Sequence, residues 1–167
     1  SGPEKTLVNL KEYVRNGGTL IGTFKSCFTD ENVKVYSDSQ PHILNECFGT
    51  IYDEFTTAKD VYLTGYGFTN KAKAMAFLKA EGFMECLRPY GGQAILRYEH
   101  ENWGQYAEAV KNDYGMGHAY YFGCMFDKST LKLIRREVMN VAGIMPNDGS
   151  DGFPVIVRRG VNSYGKN

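Results

Sequence analysis

The sequence predicts an α/β fold: a sheet with at least one covered, parallel-type strand, helices against it, and an antiparallel extension. Three observations carry that prediction. A helix-spaced segment runs through Asn16-Gly17-Gly18 directly into an apolar strand. The middle of the chain is a series of short strand-like runs broken by glycine. A second helix-spaced segment closes the pattern before residue 145.

Leu7, Leu10 and Val14 recur at helical spacing, with Val8 and Tyr13 beside them. Gly17 and Gly18 stop this helix, since glycine takes the left-handed conformation at no steric cost. Thr19 to Phe24 follows as a short strand, apolar on both faces as in a covered parallel sheet. Lys25 to Asn32 is a polar loop. Pro41 is placed to open a helix through His42, Ile43, Leu44 and Cys47, closed by Gly49. Ile51 to Phe55 and Val61 to Tyr66 alternate as strands.

The stretch 70–90 carries two readings. Lys71 to Ala80 is a helix by propensity, whereas Phe83 to Arg88 alternates as a strand. Ala94 to Tyr98 and Ala107 to Asn112 are further strands. Tyr114-Gly115-Met116-Gly117 is a tight turn, because two glycines so close supply positive φ. His118 to Cys124 is the most strand-like run of all. Leu131, Leu133, Ile134, Val138, Val141 and Ala142 form the last long helix, ended by Gly143. Residues 146–152 have the composition of a linker, and Val155 to Arg159 that of a new strand.

Composition excludes several classes of function. The 167 residues carry 19 basic and 19 acidic side chains, so the basic excess expected of a nucleic-acid or anionic-membrane partner is missing. Hydrophobic residues reach 43%, enough for a core, but no run is long enough to span a membrane. The aromatic content (Tyr 12, Phe 10, Trp 1) suits a large interface, a sugar site or a packed core. Cys27, Cys47, Cys86 and Cys124 show no C-x-x-C and no histidine at ligand spacing. They therefore predict reduced, buried thiols in a cytoplasmic protein and no metal centre. Ser1-Gly2-Pro3 lacks the basic start and apolar run of a signal peptide, and residues 1–5 read as a cloning remnant and lead-in.

No catalytic constellation emerges. A nucleophile elbow needs small residues on both sides of its nucleophile, and neither Lys25-Ser26-Cys27-Phe28 nor Gly123-Cys124-Met125 supplies them. Asp30-Glu31 and Glu99-His100-Glu101 are neighbours in single loops, unlike the opposed carboxylates of glycoside hydrolysis. Gly22-Thr23-Phe24-Lys25-Ser26 lacks the full phosphate-binding pattern, so no nucleotide, flavin or other cofactor is predicted.

The order of the segments is more specific than any one of them. Leu10 to Ile21 leads at once to Ser26 and Asp30-Glu31-Asn32, then to Pro41, Leu44, Phe48-Gly49 and Glu54-Phe55. Gly92 to Tyr98 then precedes Tyr114 to Gly123. In that order the chain resembles the trimerisation domain of glycoside hydrolase family 42 β-galactosidases. The resemblance implies a flavodoxin-like, three-layer α/β/α fold akin to class I glutamine amidotransferases, with the catalytic triad lost. It implies that the catalytic glutamates lie in a preceding TIM barrel, so no catalytic residue is carried onto this sequence. It places the trimerisation domain at 6–145, and makes 146–167 a linker with the first strand of a following β domain. The family usually has glycine where Cys27 stands, and its opening strand-helix-strand unit is missing here.

The expected function is a non-catalytic oligomerisation domain of a β-galactosidase, with galactoside substrate bound only in the full protein. The loop after Phe24 leaves the C-terminal end of a parallel-type strand, where open α/β sheets place their crevice. Phe24, Phe28, Asp30, Glu31 and Asn32 are therefore the candidates for contact with a barrel, its own or a neighbour's. An unpaired strand edge predicts that the isolated chain also associates with itself. Two other classes compete with this reading. One is a carbohydrate-binding module stacking sugar on Trp103, and the other an active cysteine hydrolase of amidotransferase type.

Overall fold

The computed structural model describes residues 2–65, 78–126 and 128–144. The expected linker and strand of 146–167 lie outside these residues, as do residues 71–77 of the ambiguous stretch. Helix α1 (Glu4–Arg15) buries Leu7 and Val14 and leaves Val8 and Tyr13 exposed. Gly17, at φ 103°, makes the exit into β1 (Thr19–Gly22). β1 pairs in parallel with β9 (Gly117–Phe122), Thr19 opposite His118 and Gly22 opposite Tyr121.

That is the one parallel pair among the described residues. β9 pairs antiparallel with β8 (Ala107–Tyr114), β8 with β7 (Gln93–Glu99), and β7 with β4 (Tyr62–Thr64). The order of this five-stranded sheet is β1-β9-β8-β7-β4. The chain is thus mixed α/β, with more antiparallel sheet than expected. The reason is local: β8 and β9 are joined across Gly115-Met116, and a link of two residues can only reverse the chain.

Two smaller sheets complete the fold. β5 (Ala80–Glu85) lies between β3 (Phe55–Thr57) and β10 (Cys124–Phe126), and β2 (Thr50–Ile51) pairs with β6 (Arg88–Pro89). Three expectations change here. The strand expected over Ile51 to Phe55 is split between two sheets, with Tyr52 buried at the break. Ala80, the end of the segment with helical propensity, begins a strand instead. The helix expected from Pro41 is only α2 (Asn45–Phe48), ended by Gly49 at φ 65°. Residues 41–44 form turns instead, where the Gln40 side chain accepts from the His42 amide at 3.3 Å.

Alternation in the main sheet divides the core. Tyr120 and Phe122 of β9 join Ala109, Leu96 and Tyr98 under Ile134 and Val138 of α3 (Lys128–Val141). Ala119 and Tyr121, on the other face, join Val110, Leu7 and Val14 of α1, and Cys47 and Phe48 of α2. Helices therefore cover both faces. A register shift in β7 puts consecutive Ile95 and Leu96 on the α3 side. At Gly123 the chain leaves the main sheet for β10, passing so close to β5 that a Cβ would sit 3.2 Å from the Glu85 carbonyl oxygen.

The helix exit and the β8–β9 hairpin meet at Gly117, whose added Cβ would lie 2.2 Å from the carbonyl oxygens of both Val14 and Gly18. These are backbone atoms and cannot turn aside. Gly117→Ala is expected to cost about 2–3 kcal/mol, measured by urea denaturation. Unchanged stability would mean that the helix exit can slide away from the hairpin.

Candidate functional site

The loop leaving β1 is held in a conformation that its sequence does not advertise. Lys25 and Cys27 both take positive φ, 60° and 61°, without being glycine. Thr23 and Ser26 close the first turn: the Ser26 amide donates to the Thr23 carbonyl at 2.8 Å, and the Thr23 amide donates to Ser26 Oγ at 2.9 Å. The left-handed turn at Lys25 presents its amide to Glu85 Oε1 at 3.0 Å.

Further along, Thr29 bridges to Val35, and Asp30 is the keystone of the tip. Its Oδ1 accepts from the amides of Asn32 and Lys34, both at 2.9 Å. Asp30 therefore shapes the loop from within, whereas Glu31 and Asn32 are exposed. Phe24 and Phe28 meet two rings from the neighbouring sheet, Phe55 of β3 and Phe83 of β5. Phe24 stacks on Phe83 at 5.4 Å, and Phe28 meets Phe55 edge-on at 6.4 Å. Phe55 and Phe83 are 49% and 44% exposed, so the cluster reaches the surface.

Beneath these rings lies a polar group that sequence reasoning missed. Glu85 is fully buried at the end of β5. Tyr121 of β9 donates its hydroxyl to Oε2 at 3.0 Å, and the Lys25 ammonium stands 3.8 Å from Oε1. Tyr98 donates to the Glu85 backbone carbonyl at 2.9 Å. Burial pushes the Glu85 carboxyl up to about 7, against the opposing pull of the tyrosine hydroxyls and Lys25. Burial likewise lowers the pKa of the Lys25 amine.

A second enclosed carboxylate, Glu108 of β8, accepts from the Cys124 amide at 3.3 Å through Oε1, while its Oε2 makes no hydrogen bond. Its carboxyl is pushed up to about 8, chiefly by burial. All four thiols are buried and free. Burial raises the pKa of each, to about 11 at Cys47 and Cys86, which is the reverse of what an activated nucleophile needs. Trp103, the sugar-stacking candidate, is partly buried against the α3-side core, with His100 and Tyr106 beside its ring. Among the described residues no group of three or more His, Cys, Asp or Glu could hold a metal ion, and no helix is long and apolar enough to cross a membrane.

A family model described as the β-galactosidase trimerisation domain matches residues 3–145. The chain belongs to that family. Two curated relatives of this trimerisation domain are whole β-galactosidases. LacZ of Heyndrickxia coagulans is 27% identical over 155 residues, covering 90% of this chain and 22% of that protein. BgaB of Geobacillus sp. (strain Y412MC61) is 25% identical over 144 residues, covering 83% and 20%. The domain thus spans about a fifth of the length of these relatives.

Solved structures share the fold at low identity. The β-galactosidase from Bacillus circulans sp. alkalophilus superposes with a TM-score of 0.76 at 17% identity, over 87% of this chain and 22% of that one. Gan42B, a GH42 β-galactosidase from G. stearothermophilus, gives 0.71 at 24% identity, over 87% and 20%.

The two raised carboxyl groups set a pH dependence. In the unfolded chain a glutamate releases its proton near pH 4.3, whereas Glu108 in the fold holds its proton up to about 8. The folded state therefore binds more protons across this window. Stability contributed by this group is full below the lower value, falls as pH climbs, and levels off above the upper one. Glu108→Gln removes the charge, so it is expected to raise stability at pH 9 by on the order of 2 kcal/mol and to leave pH 4 nearly unchanged. Urea denaturation at both pH values measures this, and equal effects at the two would contradict it.

Proposed function

We propose that this chain is the non-catalytic assembly domain of a β-galactosidase that hydrolyses terminal β-D-galactosides. In this reading it holds subunits in the trimer for which the family is named, and loop 24–32 helps form the active-site entrance by meeting a barrel. The family match over residues 3–145 carries the reading. Surface-reaching Phe24, Phe28, Phe55 and Phe83 support the interface, because exposed aromatic clusters are what protein contacts bury. The rings and Glu31 supply the contact, while Asp30 keeps the tip in shape. The helices on both faces of the main sheet support a three-layer plan of amidotransferase type, with its chemistry lost. Four unpaired thiols support a cytoplasmic setting.

The test uses the full-length protein. Phe28→Ala combined with Glu31→Ala should lower the assembled mass or raise KM for a nitrophenyl galactoside by about tenfold, the effect of losing roughly 1.4 kcal/mol of contact. Unchanged mass and kinetics would remove the loop from the interface. The 167-residue chain alone is expected to turn over no galactoside, and turnover abolished by changing Asp30 or Glu31 would overturn the non-catalytic reading.

A further inference from the structure

Lys25 presents an unusual arrangement. Its Nζ is buried and makes no hydrogen bond, although an ammonium carries three donors. Aromatic faces stand around it instead. The Phe55 ring centroid is 3.3 Å away, Phe28 3.9 Å, and Phe24 and Tyr52 each 5.3 Å. At the base of this enclosure stands the Glu85 carboxylate, 3.8 Å from the nitrogen. The negative faces of the rings and one carboxylate therefore converge on a single buried cation.

The surrounding structure is built to keep that arrangement. Phe55 stands directly opposite Glu85 in the β3–β5 pair, so one register places both the ring and the carboxylate. Tyr121 fixes the second carboxylate oxygen from β9. Lys25 itself pays strain to take part, since φ 60° disfavours a residue with a Cβ. In exchange, its backbone amide and its side chain both reach Glu85.

The geometry points to a built primary-ammonium site, formed by Glu85, Phe28, Tyr52 and Phe55, which Lys25 occupies as an internal ligand to hold the loop after β1 in its interface-presenting shape. Lys25 and Glu85 are then positioning residues. The clasp sets where Phe24 and Phe28 stand, and those rings are the ones the proposed interface uses. The inference rests on that reading only for its consequence, because the clasp can be read out without any subunit contact.

Hydrogen–deuterium exchange followed by mass spectrometry on the protein tests it. Lys25→Ala vacates the site, and amides of the segment 23–32 should exchange about tenfold faster while peptides from β7 to β9 keep their protection. Adding n-propylammonium, which supplies the missing stem and charge, should restore the protection, whereas n-propanol or sodium chloride should not. Lys25→Met keeps the stem without the charge and should remain fast. Glu85→Gln on top of Lys25→Ala should abolish the rescue. Protection restored equally by propanol, or a Lys25→Met variant as slow as the parent, would show that apolar filling holds the loop and would overturn the clasp. Subunit mass, measured in parallel, reports the interface separately: a clasp that passes beside unchanged assembly would refute the interface alone.

Discussion

Glu85 places a carboxylate where three lengths of chain converge, and the local structure is arranged to make that tolerable. A buried charge costs several kcal/mol unless it is neutralised or given donors. Here the loop after β1 contributes an amide and an ammonium, and β9 contributes a hydroxyl. The unusual backbone at Lys25 and the inward Tyr121 on β9 become intelligible once this group has to be accommodated. So does the closeness of β5 to Gly123, where the Glu85 amide donates to the Gly123 carbonyl at 2.7 Å.

The parts of the fold that sequence made legible are those where one simple rule dominates. Leu7 and Val14 lie on one helical stripe, and Gly17 ends the helix with positive φ, as glycine at a helix exit should. The Gly115-Met116 turn joins β8 and β9 where the spaced glycines suggested it. The misreadings come from rules in competition. Tyr52 interrupts an alternating run because it turns into the core between two sheets. At Pro41 the favourable opening of a helix yields only turns, with the Gln40 side chain accepting from the His42 amide, and the helix itself waits until Asn45.

Phe28 is legible as a loop residue and Phe24 as the end of a strand, which in fact stops at Gly22, but their ring partners are not. Phe55 and Phe83 arrive through the pairing of β3 with β5, which depends on strands far apart in the chain. Glu85 and Lys25 were harder still. Strict alternation puts Glu85 on the face of Phe83, yet the strand ends there and Met84, Glu85, Cys86 and Leu87 are all buried. A charge inside such a run is the one sequence-level sign of the network. Glu85 and Glu108, both fully buried, lie within the span that the trimerisation-domain family shares.

The meeting of α1 with the β8–β9 hairpin also bears on the order in which the molecule assembles. The Met116 amide donates to the Arg15 carbonyl, the His118 amide donates to the Gly18 carbonyl, and Arg15 reaches Tyr114 across 99 positions of sequence. Within this domain, α1 and β1 thus have their docking surface among parts that lie much later in the chain. Until the hairpin forms, the apolar stripe of Leu7 and Val14 lacks the part of its native cover that Val110, Ala119 and Tyr121 supply. A topology that stores its opening segment against so distant a partner folds slowly, because loop closure must precede the contacts that reward it. Glu4, Lys5 and Glu12 on the outer side of α1 therefore keep this segment soluble until the hairpin arrives, as well as in the finished fold.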